Sequence, residues 1–441
     1  MRPTAERFAA SRKSLGLYVL AVLLASAAVG GMTQLNLFSR QASTASPLGE
    51  NDRFTPPFVA GPQRDIACPP GAFDIGPGTN IQAAVDSHNR NTTFCLKRGT
   101  HTIASAITPK SGDMFVGEYE AILDGSGWTS DDPNQGAFRA HEQDIDDVTV
   151  RNLVIRNMPQ KGIHAYYAGA DRWTIEYNEL VANGTGVAAP NGSIVRNNYI
   201  HHNKVGGYAA YRVSKTLFEN NDIAANGPEQ KIVQATDVTF RNNFVHDNLS
   251  DGIWYDTDNT GTVVEGNEVD DNGREGISYE ISGRGVIRNN TVRRNATTGI
   301  FISTSKDVEI YNNTLDHNLR GIQYFLNCGV IGDGNIGYDL RHDVAHDNVV
   351  IVGGQNGAYA NGLAHLSVCT PAQVGPYIGG MKELKFERNR YVVPSPASKY
   401  WFWGLSRLTS LTAPFAWGTG SVMSWREWGA LGHDTDGAVL Q

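Results

Sequence analysis

The chain has 441 residues, with 37 Lys plus Arg against 45 Asp plus Glu and a net charge of −8. That balance offers no global field for nucleic acid or anionic membranes, and 40% apolar content excludes wholesale disorder. The 48 Gly and abundant Asn favour turns and left-handed bends, which excludes a helical bundle or a polytopic membrane protein and points to many short strands.

The first element is an export signal. Arg2, Arg7, Arg12 and Lys13 precede the apolar stretch Leu15–Leu24, and no charge follows from Ser14 to Ser39. Ala25-Ser26-Ala27 fits a small-residue cleavage site, and the uncharged run is also long enough to remain as an anchor. Residues 1–33 are therefore read as signal peptide or membrane anchor, either of which exports the rest to the cell surface or beyond. Residues 34–66, rich in Ser, Thr, Pro and Gly, read as a linker. Cys68, Cys95, Cys328 and Cys369 all lie beyond the signal, and an even count in an exported chain implies two disulfides. Of the three pairings, sequence proximity favours Cys68–Cys95 and Cys328–Cys369.

From there the chain repeats itself. Asn178, Asn198, Asn221, Asn243, Asn267, Asn290 and Asn313 recur at a period of roughly 23 residues. Five residues later comes a second series: Asn183, Asn203, Asn226, Asn248, Asn272, Asn295 and Asn318. Leu180, Ile200, Ile223, Val245, Val269, Val292 and Leu315 sit two residues after the first series. Each period holds short alternating apolar runs broken by Asn and Gly, too short for a helix. Such a unit cannot bury its apolar face alone and must stack on its copies. The expected fold is all-β: a right-handed parallel β-helix over 67–395, each period one coil, with the Asn side chains bonded into ladders. The sequons at Asn183, Asn248, Asn289, Asn295 and Asn312 are explained by this period rather than by glycosylation. The His and Asp pairs His201, His202, His246, Asp247, Asp270, Asp271, Asp316 and His317 read as a solvated turn face.

The chain resembles the right-handed parallel β-helix proteins of the pectate-lyase-like superfamily. Three segments carry the resemblance: Asn80-Ile81-Gln82-Ala83-Ala84-Val85 running to Cys95–His101, which resembles the N-terminal cap helix and first strand; the Asn-Asn-x-Val coils; and Trp425–Trp428 running to Gly432-His433-Asp434. Together they cover most of residues 70–435. The resemblance implies the fold and an exported protein. It does not choose among the lyases, hydrolases, epimerases and adhesins that share the fold.

Departures from the repeat carry the chemistry. Aligning coils on Ile253, Ile277 and Ile300 points Ile253 and Tyr255 inward and Trp254, Asp256 and Asp258 outward. Asp256 then faces Glu280 one coil on, and Asp258 lies two residues along the same strand. Like charges side by side destabilise a sheet, so this cluster is the expected catalytic site. Trp254, Tyr166, Tyr211 and Phe301 are candidate sugar platforms along a long groove, with His164 and Arg212 also expected to bind substrate. Two carboxylates about 5 Å apart suit a retaining glycosidase. Alternatively Asp256, Asp258 and Glu280 hold Ca²⁺, which in lyases of the superfamily neutralises a uronate, with Arg212, Lys231 or Arg274 as base. A third option is proton abstraction by a set of Tyr166, His164 and Tyr211. The expected function is an exported carbohydrate-active enzyme on a polysaccharide, a glycoside hydrolase or a Ca-dependent lyase. The alternative is a non-catalytic glycan-binding or surface-adhesion β-helix. No Asp-Pro-His motif of the kind found in alginate epimerases of this fold is present. The period fades after Leu326, and a Trp-rich tail, 396–441, is expected to cap the open end, with Ser424 starting a short helix through Trp425–Leu431.

Overall fold

The computed structural model describes residues 54–140, 144–165, 169–355, 358–407 and 421–440. The expected signal or anchor and residues 34–53 of the expected linker lie outside them. Two compact units are Met1–Thr55 and Pro56–Gln441, and everything below concerns the second.

Three sheets of 13, 13 and 12 strands run the length of a right-handed parallel β-helix. Each coil contributes one short strand to each sheet, and strands pair with the equivalent strand one coil away. Sheet 1 starts with Phe73–Ile75, sheet 2 with Gly99–Thr102 and sheet 3 with Gly136–Arg139. Alternation fills the interior. Leu180, Ile200, Ile223, Val245, Val269, Val292 and Leu315 pair in register down sheet 2 and are buried, as the period requires.

The two Asn series form the expected ladders at the coil corners. Asn267 shows the unit: its amide donates to the Phe240 carbonyl and to Asn290 Oδ1, both at 2.9 Å, while its own oxygen accepts from Asn243 Nδ2 at 3.0 Å. The backbone turns that the ladders stabilise carry φ between 50° and 60° at Asn220, Asn242, Asn289 and Asn312, a region Asn tolerates. Asn183, Asn248 and Asn295 are buried within the second ladder. The first ladder ends on Asp434, whose carboxylate accepts from Asn389, Tyr391 and Trp428.

The ends are closed as expected. Asn80 caps helix Ile81–Ser87, and Ser424 caps helix Trp425–Ala430 in a reciprocal capping box with Glu427. Both disulfides are Cys68–Cys95 and Cys328–Cys369. The tail does more than cover: Trp401–Arg407 extends sheet 3 and Ala438–Leu440 extends sheet 2. Part of the expected linker is also anchored, with the Gly61 amide donating to the Asn197 carbonyl at 2.9 Å. Among the described residues no helix is long and apolar enough to cross a membrane.

Candidate active site

The strands Ile253–Asp256 and Ile277–Glu280 pair in register on sheet 3, so Asp256 lies directly opposite Glu280. Their Cα atoms are about one strand spacing apart, about 4.8 Å. Ile253, Tyr255, Ile277 and Tyr279 are fully buried, which places Trp254, Asp256 and Glu280 on the outer face. Asp256 has two partners: Lys231 Nζ lies 3.3 Å from Oδ2 and the Thr257 hydroxyl donates to Oδ1 at 2.9 Å. The same ammonium sits 4.7 Å from the centre of the Trp254 ring.

Glu280 is in the opposite condition. Burial, then the charges of Asp256 and Asp251, push its carboxyl well above the usual range, and Arg274 only partly offsets them. Among the described residues no side chain hydrogen-bonds it. Beneath it lie two further acids. Asp251 is 1% exposed, accepts from Ser278 Oγ at 2.8 Å and from Ser250 Oγ at 3.1 Å, and lies 3.5 Å from Arg274. Burial and the charge of Glu275 raise it to about 7. Glu275 is also buried, 3.2 Å from Arg274 Nε. One guanidinium thus serves two buried carboxylates, and both oppose ionisation of Glu280.

Asp251 and Glu275 were not anticipated. Their signal was nonetheless present: Asp251-Gly252-Ile253-Trp254-Tyr255-Asp256 and Glu275-Gly276-Ile277-Ser278-Tyr279-Glu280 are the same phrase in consecutive coils. Extending the coil alignment past the conserved-spacing Gly would have found them.

The family described as Right handed beta helix region matches residues 138–280, 213–336 and 256–362. The chain belongs to this family. It is similar to a mannuronan C5-epimerase of Pseudomonas putida, with 26% identity over 175 residues, 38% of this chain. The match spans only 32% of that relative. Among solved structures it is similar to the A-module of the Azotobacter vinelandii mannuronan C-5 epimerase AlgE6, with TM-score 0.58 and 16% identity, covering 84% of this chain and 99% of that one. It is also similar to the catalytic unit of a GH87 α-1,3-glucanase from Streptomyces thermodiastaticus, with TM-score 0.52 and 14% identity, covering 70% of this chain and 64% of that one. At these identities the structural likeness shows a shared β-helix fold.

Several expected members of the site lie elsewhere in this β-helix. Asp258 is not on the strand, which ends at Asp256. Thr257 and Asp258 both turn left-handed, with φ of 61° and 56°, so the period-two argument stops two residues before Asp258. Its carboxylate instead accepts from the backbone and side-chain amides of Asn335, both at 2.9 Å. The three expected Ca²⁺ ligands are therefore not gathered, and among the described residues no group of three or more His, Cys, Asp or Glu is arranged to hold a metal. His164 is fully buried, and Phe301 is 5% exposed, packed 5.5 Å from Phe325. Both are therefore removed from the groove. Tyr166 lies outside the described residues. Tyr211 is partly exposed two coils before Asp256, and Arg212 lies 4.9 Å over its ring while donating to Gln234 at 2.8 Å. The expected solvated turn face is also partly wrong: Asp270 is buried, 3.3 Å from Arg293 and paired with Arg294.

The groove is consequently a short window. Ala209, Tyr211, Lys231, Val233, Trp254, Asp256 and Glu280 are the partly exposed outer residues of four consecutive strands. Three strand spacings give it a length of about 14 Å. On one side Ala188 and His164 are buried; on the other, Phe301, Gln323 and Phe325 are.

Proposed function

We propose that this protein modifies a polysaccharide by acid/base chemistry between Asp256 and Glu280. The observation that carries the reading is their direct register on the outer face of sheet 3, with Asp251 and Glu275 beneath. In this reading Glu280, kept protonated by burial and three neighbouring acids, is the general acid. Asp256, paired with Lys231, is the partner carboxylate that stabilises or attacks the anomeric centre. Trp254 and Tyr211 offer aromatic surface to a sugar ring on either side of Lys231.

A second reading has its own support. Lys231 and Arg274 set two cations among the acids, and the relatives named above include epimerases of mannuronan, a polymer of acidic sugars. In that reading the cations neutralise a uronate carboxylate and one acid–base pair exchanges the adjacent carbon-bound proton. The two disulfides support assignment to an exported, disulfide-permissive compartment.

The test is turnover on neutral glucans and on polyuronates, read as new reducing ends, unsaturated products and solvent-deuterium incorporation. New reducing ends from a neutral glucan support glycoside cleavage. Deuterium incorporation into a polyuronate without cleavage supports epimerisation. Calcium added or chelated in the same assay reports on the Ca²⁺ alternative. Binding without turnover on every polymer, unaltered in Asp256→Asn, leaves only a glycan-binding β-helix.

A further inference from the structure

The connection from Arg320–Leu326 to Val344–His346 does not turn the corner as the other coils do. It begins at Cys328, which is bonded to Cys369. It then folds back along the edge at which the strands of the window leave sheet 3. Lys306, in the corner after Thr298–Ser303, donates from Nζ to the Gly337 carbonyl at 3.0 Å and also to the Ile336 carbonyl. Further back, a Cβ on Gly283 would lie 3.3 Å from Ile336 Cδ1, so the Ile336 side chain rests on the corner after Ile277–Glu280. The reach ends at Asp258, in the corner after Ile253–Asp256, three coils before the loop begins. There the Asn335 backbone and side-chain amides both donate to one carboxylate at 2.9 Å.

The loop is folded on itself to make this contact. The Gly332 amide donates to the Tyr338 carbonyl and the Tyr338 amide to the Asp333 carbonyl, both at 2.8 Å. Gly334 has φ of 74°, and a Cβ there would sit 2.0 Å from the Tyr338 ring. Tyr338 is 7% exposed; burial, with the nearby charges of Asp258 and Asp256, holds its phenol protonated. The segment 329–338 has no strand or helix, so these contacts set its position against its conformational entropy, while Asp339 and the fully buried Leu340 fix its far end.

We infer that Asp258 is a positioning residue: it latches the loop 329–338, anchored at its base by Cys328–Cys369, as the flanking wall of the Asp256–Glu280 window. The inference rests on the reading of that window as the active site. Asp256 and Glu280 are the last residues of their strands, so a wall along this edge stands next to both carboxylates.

The experiment is hydrogen exchange by mass spectrometry on the whole chain, for wild type, Asp258→Ala, Asn335→Ala and the double variant Cys328→Ser/Cys369→Ser, followed by kinetics on the polysaccharide that wild type turns over. Asn335→Ala removes the latch from the exposed side and leaves the coil corner intact. Exchange across 329–338 is expected to rise at least tenfold in all three variants, while the strands 253–256 and 277–280 stay protected. KM is expected to rise about tenfold with kcat within about twofold, the effect of one lost charge-assisted bond. Unchanged exchange in Asp258→Ala and Asn335→Ala overturns the latch, whatever the activity. Raised exchange with KM and kcat both unchanged overturns the wall. A fall in kcat with constant KM overturns the positioning role in favour of a direct catalytic one for Asp258. Absence of turnover in wild type overturns the active-site reading and the wall with it, while the exchange result still decides the latch.

Discussion

The outer faces of sheet 1 and sheet 3 handle acidic residues in opposite ways. On sheet 1, Arg151, Glu176, Arg196, Glu219, Arg241, Glu265 and Arg288 pair strand to strand in strict alternation. Arg196 lies 2.7 Å from Glu176, Arg241 2.5 Å from Glu219 and Arg288 2.7 Å from Glu265. On sheet 3, Asp256 faces Glu280 and Asp251 shares Arg274 with Glu275. A stack of nearly identical coils has an obvious way to neutralise charge, and sheet 1 uses it. Sheet 3 departs from it over two coils only. Like charges side by side cost stability in a fold able to avoid them, and the function proposed above rests on that departure.

The contrast can be broken most forcefully at Glu280. Glu280→Gln keeps shape and removes the proposed proton donor, so turnover should fall by about 10²–10⁴-fold, while thermal stability holds or rises because an acid crowded by Asp256, Asp251 and Glu275 has been neutralised. Turnover within threefold of wild type would return both faces to the same structural category. Next in size is the scaffold common to both. Asn267→Ala orphans buried groups in the two flanking coils and should cost about 3–5 kcal/mol in denaturant unfolding. A loss under about 1 kcal/mol would mean that the ladder is not what holds the coils in register.

pH separates the faces again. Folding raises Asp251 to about 7, so the folded chain keeps a proton that the unfolded chain releases. Stability from this group is therefore complete at low pH and is lost as pH rises from about 4, the ordinary carboxyl value, through about 7. Asp251→Asn should flatten that decline in melting temperature; an unchanged slope would show that the buried pair does not govern it. On sheet 2, His246 has the corresponding behaviour at higher pH: burial lowers it, but Asp222 and Asp247 together raise it to about 9, so its contribution fades only as pH rises through about 9. The smallest effect belongs to sheet 1. Arg241→Ala removes one exposed rung and should cost about 0.2–1 kcal/mol, less at high salt. A loss several times larger would indicate that the ladder acts as a coupled network.

Much of this was legible beforehand because it is periodic. The Asn columns announced the ladders, Leu180 through Leu315 the interior, and the spacing from Asp256 to Glu280 their contact. Ser424 was readable as a cap because capping is local chemistry. The misreadings fall where period or locality ends. Asp258 was assigned to a strand that stops two residues earlier, at a left-handed corner no alternation rule foresees. His164 and Phe301 were expected in a long groove, and both are covered.

What the linear chain determined by itself is the coil and its register, since a short unit with one apolar face has only its own copies to stack against, and a one-residue slip would expose every interior side chain. What the tertiary structure alone decided is which part of the outer wall stays open, which acids sink beneath it, and where the loop after Cys328 comes to rest. Those outcomes depend on segments without a period packing onto distant coils, and burial of that kind is a property of neighbours in space that residue spacing does not encode.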